Sequence, residues 1–105
     1  MNIKQSIAQT QNRWIAYITK GKHTTACGFC EYTDEITNKY TYNCPDCPCM
    51  KVLGIECFVL PSYQRWDKNP TKSNARAVLA DVNKVARAYH VKQMWPNEDN
   101  HLPRT

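Results

Sequence analysis

The sequence predicts a small α+β domain, because apolar residues recur at helical spacing near both ends and two short strand-like runs lie between them. All six cysteines fall in that same middle stretch. With 105 residues the chain has room for one domain, read as 1–96 with a polar, mobile tail over 97–105. A chain this short buries a modest core and commonly relies on cross-links or metal for the rest of its stability.

The first element is an amphipathic helix from Ile3 to Ile18. Its larger apolar residues are Ile3, Ile7, Trp14, Ile15 and Ile18, and Thr10 or Gln11 fills the one turn that has none. Gln5, Gln9, Asn12 and Arg13 then face water, and Gly21 supplies a C-terminal stop. From Lys22 to Asn69 the pattern breaks into short pieces punctuated by Pro45, Pro48 and Pro61 and closed by Pro70. Within it Lys39-Tyr40-Thr41-Tyr42 is aromatic and β-branched, and Ile55 to Leu60 is a largely apolar run; both read as strands of small hairpins. The last element opens at Pro70-Thr71-Lys72-Ser73, where Thr71 or Ser73 caps a helix. Its stripe is Ala75, Val78, Leu79, Val82, Ala86 and Tyr89, opposite Arg76, Asp81, Asn83, Lys84 and Arg87, and it ends before Pro96.

Cys27-Gly28-Phe29-Cys30 is followed after thirteen residues by Cys44-Pro45-Asp46-Cys47. A two-residue gap lets both thiolates of a tight turn aim at one centre, and two such turns complete a tetrahedral shell of soft ligands, which suits zinc. In this reading Gly28 relaxes the first turn and Pro45 fixes φ in the second. A full shell of four protein thiolates leaves no position for water, so Zn2+ here holds the fold and does no chemistry. Four ligands are drawn from six candidates. Cys57, after Gly54, competes with Cys44 or Cys47 for the fourth place, Cys49 is the surplus thiol, and His23 is an ordinary surface residue. Three disulfides, or thiols that pack as small hydrophobes, are the alternatives that spacing leaves open.

The chain lacks a signal-peptide pattern and an apolar run near the ~20 residues of a membrane span, which excludes a membrane role and places the protein in a reducing cytoplasm. The formal charge of +5 suits phosphate or acidic protein partners and selects neither, since the cations are spread along the chain.

Trp14, Cys27-Gly28-Phe29-Cys30-Glu31-Tyr32, Cys44-Pro45-Asp46-Cys47-Pro48, Gly54-Ile55-Glu56-Cys57, Pro61-Ser62-Tyr63 and Trp66 form an ordered series. It resembles a family of small cysteine-rich phage and prophage proteins, in which a Cys-x2-Cys, a Cys-x2-Cys-Pro and a later Cys lie between an N-terminal helix and an Ala-rich C-terminal one. The resemblance implies that Cys57 is a ligand, that Cys49 is an extra, and that the setting is a host-cell cytoplasm; it implies no shared activity.

Two functions follow, and an enzyme ranks last because nothing beyond the cysteines assembles a nucleophile, base and oxyanion donor. Placed first is a protein-binding module that docks on and modulates or inhibits a host protein or defence complex, through an exposed apolar patch such as Met94 with Trp95 or Tyr63 with Trp66. The alternative is a zinc finger-like nucleic-acid-binding module. There Arg65, Lys72, Arg76, Lys84 and Arg87 meet phosphate, with Lys39, Lys51 and Lys68 nearby, and Tyr40, Tyr42, Tyr63 and Trp66 stack on bases. For those aromatics, packing in a small core is the competing expectation.

Overall fold

A computed structural model of the chain describes residues 2–22, 28–29, 32, 48–55 and 59–96. Four helices lie within them: α1 (Ile3–Lys20), α2 (Pro48–Leu53), α3 (Pro61–Lys68) and α4 (Lys72–Ala88). No strand occurs among the described residues, so the α+β expectation is corrected to a helical architecture. Lys39–Tyr42 lie outside those residues, as does the tail at 97–105. Of the other expected strand, Ile55–Leu60, residues 56–58 lie outside the described residues, and its described ends are not in a strand. Gly54, at φ 71, ends α2, while Leu60 is already the N-cap of α3, which begins at Pro61. A short apolar run has no period that separates a buried strand from the approach to a helix, and here the proline starts the helix at once.

Each long helix is fixed locally by its sequence. At the head of α1, Asn2 Oδ1 accepts from Gln5 N at 2.8 Å while Asn2 N donates to Gln5 Oε1 at 2.9 Å, a reciprocal capping box. Its tail stops at Gly21, φ 78, whose N–H donates to Tyr17 O. Thr71 Oγ1 caps α4 by accepting from Asn74 N. At the far end Tyr89 is the C-cap and His90 takes the left-handed position at φ 59. His90 N donates to Arg87 O and Val91 N to Ala86 O at 2.8 Å, the paired bonds of a Schellman turn in which a histidine stands where glycine is usual.

α4 is the central element and touches α1, α2 and α3. That explains the width of its buried surface: Ala75, Val78, Leu79, Val82 and Ala86 are joined by Val85 and Asn83. Asn83, expected on the solvent face, is only 1% exposed. On α1 the residues Ile7, Gln11, Trp14 and Ile18 repeat at i, i+4, i+7 and i+11 and are buried. Phe29, Cys49 and Leu60 complete the core from outside the two long helices.

Two further contacts set the arrangement. Trp14 of α1 meets Trp66 and Tyr63 of α3 edge to face, with centroids 4.9 and 6.0 Å apart, and Tyr17 meets Trp66 at 5.3 Å. Such rings gain about 0.5–1.5 kcal/mol per pair beyond the area they bury. On the other side the segment Val91–Pro96 runs back across α1 and α4. Gln11 Nε2 donates to Lys92 O and Asn83 Oδ1, both at 3.0 Å, while Asn83 Nδ2 donates to Met94 O and Met94 N to Asn83 Oδ1. No helix of the described residues is long and apolar enough to cross a membrane.

Candidate functional site

The expected metal ligands Cys27, Cys30, Cys44, Cys47 and Cys57 lie outside the described residues, as does His23. Among the described residues no group of three or more His, Cys, Asp or Glu is placed to hold a metal ion. What is described is the ground on which the first Cys-x2-Cys stands. Gly28 and Phe29, the two residues between Cys27 and Cys30, are helical and buried against α1. Phe29 N donates to Thr10 Oγ1 at 3.2 Å, and that hydroxyl donates in turn to Ser6 O at 2.8 Å. A Cβ on Gly28 would collide with Ser6 O and would stand 2.9 Å from both Gln9 Cβ and Thr10 Oγ1. The glycine is therefore there for close approach to α1, and the expectation that it relaxes a turn is corrected: its φ lies outside the left-handed region that Gly21 and Gly54 occupy.

Cys49, set aside as surplus, is 2% exposed in the core and its Sγ lies 3.6 Å from Ile55 O.

The residues expected to bind a partner separate into two groups. Tyr63 and Trp66 are half-buried and belong to the aromatic cluster with Trp14 and Tyr17, in which Tyr17 also donates its hydroxyl to Pro70 O at 2.9 Å. Core packing accounts for these rings, against the base-stacking expectation. Arg65, Lys72, Lys84 and Arg87 are exposed and Arg76 is half-buried. Lys84 Nζ stands 3.3 Å from Asp81 Oδ1, and the second oxygen of that carboxylate takes the Ser62 hydroxyl, which ties α3 to α4. Met94 is half-buried, while Trp95 is 38% exposed on the segment that Asn83 holds.

The charges are divided unevenly along the chain. The four helices hold ten of the fourteen Lys and Arg, but only Asp67 and Asp81 of the nine acids. Glu31, Asp34, Glu35, Asp46 and Glu56 all belong to the cysteine-bearing middle of the sequence. The helical framework thus carries a strong excess of positive charge that the net value of +5 conceals. Residue-by-residue charge counting along each predicted element would have found this; a whole-chain sum does not.

Gln11 and Asn83 are the residues that sequence reasoning undervalued. Both are buried amides, and the network they form with Lys92 and Met94 leaves Gln11 Oε1 with no hydrogen-bond partner among the described residues. The signal for Gln11 was its place in the apolar repeat; Asn83 gave none, since polar side chains default to the outer face of a helix.

No family model, no curated protein and no solved structure matches this chain.

Proposed function

We propose that this chain is a non-enzymatic binding module, stapled by one Zn2+ on four of the thiols Cys27, Cys30, Cys44, Cys47 and Cys57, whose basic helical framework takes a polyanionic partner, nucleic acid ahead of protein. The observation that carries the partner is the charge division: the helices hold ten cations against Asp67 and Asp81. A surface of that sign attracts a phosphate backbone and raises its association rate. The metal is supported by the donor set, two Cys-x2-Cys pairs and a later Cys, and by the seating of the first pair's intervening residues on α1. Bound there, zinc supplies cross-linking in place of a larger core.

The test uses the purified full chain. Metal analysis is expected to return one zinc per chain, and chelation is expected to lower the thermal midpoint of the helical signal. Binding to labelled nucleic acid, followed by anisotropy, is expected to weaken steeply as salt rises. A salt-independent affinity, or no binding at low salt, would sink the polyanion reading; a metal-free chain with an unchanged midpoint would sink the zinc.

A second reading, a host protein as the target in a phage-like setting, is favoured by Trp95. It is one of two large apolar side chains described as exposed, and it sits on a segment braced by Asn83, a preorganised anchor of the kind protein interfaces use. Trp95→Ala abolishing recovery of a nuclease-resistant partner from a host lysate, with nucleic-acid binding intact, would put this reading first.

A further inference from the structure

Resting on the polyanion reading, we propose that the partner is double-stranded nucleic acid, held through its phosphates by the outer face of α4. Lys72, Arg76, Lys84 and Arg87 all lie within about a third of the helix circumference at 100° per residue. From Lys72 to Arg87 this line extends for about 22 Å at 1.5 Å per residue. Ser73 and Ala80 occupy the part of the arc between Arg87 and Lys84, where their short side chains let the helix surface come close to a rigid rod of charge, while Asn83, between Lys72 and Arg76, is covered by the Met94 segment. Before the α3–α4 joint, α3 ends in the exposed Arg65 and Lys68. There Asn69 O accepts from both Thr71 N and Asn74 Nδ2 at 2.8 Å, so the two basic stretches are tied at a fixed corner.

The preference for a duplex comes from the aromatic residues. Proteins that hold unpaired strands offer ring faces to successive bases, and stacking supplies much of their affinity. Tyr63 and Trp66, next to Arg65 and Lys68 in sequence, turn their rings onto Trp14 and Tyr17. Among the described residues the outer arc of α4 offers cations and small residues, and the one exposed large aromatic beside it, Trp95 on the segment that Asn83 holds, is not followed by further rings for successive bases. Affinity then rests on the high linear charge density of a duplex, about one phosphate per 1.7 Å of axis.

The experiment measures binding of the full chain to a labelled duplex, the same strand unpaired, and polyglutamate, across a salt series. It compares the wild type with Lys72→Glu/Arg87→Glu and with the control Lys4→Glu/Lys20→Glu on α1; all four positions are exposed. Expected is tighter binding to the duplex than to either other probe. The log–log salt slope should be about −4 for four to five phosphate contacts, and the α4 pair should lose roughly tenfold or more in affinity and flatten the slope by about 2. The control pair is expected to lose at most about a third of that on a logarithmic scale. Unchanged circular dichroism of both variants shows that charge and not folding is read; should the α4 pair unfold, Lys72→Gln/Arg87→Gln replaces it. Single strand or polyglutamate binding as tightly as duplex, or equal losses in the two pairs, overturns this proposal while leaving the polyanion reading standing. Absence of salt-dependent binding to all three probes removes both.

Discussion

The two faces of α4 solve opposite problems with one stretch of seventeen residues. The inner face is committed to the fold: Ala75, Val78, Leu79, Val82, Asn83, Val85 and Ala86 are buried against three other helices. The outer face carries the exposed Lys72, Lys84 and Arg87 with little packing to protect. A substitution on one face should therefore be read in stability and on the other in affinity, because side chains that touch little can change charge at small cost.

The largest expected effect breaks the inner face. Leu79 is fully buried, and Leu79→Ala should cost about 2–5 kcal/mol by lost burial and the cavity left behind, measured by denaturant unfolding. A loss below about 1 kcal/mol would mean that the core around α4 is less closely packed than described. Asn83→Ala should cost less, about 1–3 kcal/mol, because Met94 N and Met94 O lose their partner but can turn to water. Its signature is local: hydrogen exchange at Met94 should speed up while the α1 amides stay protected, and uniform acceleration would show that the amide network props up the whole bundle. Smallest is Lys84→Ala on the outer face, which gives up an ion pair between an exposed lysine and the partly buried Asp81, whose other oxygen keeps the Ser62 hydroxyl, and should shift stability by no more than about 0.5 kcal/mol. If it costs as much as Asn83→Ala, the division between the faces fails.

The same division explains what was readable in advance. α1 and α4 were legible because a repeat near 3.6 residues and terminal signals at Gly21 and Thr71 agreed with one another. The capping box of Asn2 and Gln5 was not anticipated, since Gln5 was assigned only to the solvent face, although the two residues stand three apart at the head of an apolar repeat. α2 and α3 were hidden by their prolines. Pro48 and Pro61 read as interruptions, yet each occupies the first position of a helix, where its missing N–H and fixed φ do no harm. At the described ends of the run Ile55–Leu60 no strand forms, and a run that short carries no decisive period. Asn83 was assigned to solvent because a stripe drawn for one neighbour underestimates a helix that has three. At the candidate site, Arg65, Lys72, Lys84 and Arg87 are exposed and Arg76 is half-buried, whereas Tyr63 and Trp66 could be told apart from stacking residues only by the ring geometry with Trp14.

The Gln11–Asn83 bridge also defines how relatives of this chain are to be found. Its bonds tie α1 to α4 across 72 residues and α4 to the returning segment across eleven, with the left-handed turn at His90 consuming the middle of that short loop. An insertion or deletion between Asn83 and Met94 would shift the carbonyl and amide of Met94 away from the Asn83 side chain, so that interval is expected to hold its length even where the surface has diverged. A paired amide, one on an N-terminal helix and one eleven residues before a braced tryptophan-bearing segment, is a more durable fingerprint than the positions of the lysines, because buried partners must change together and solvated charges need not.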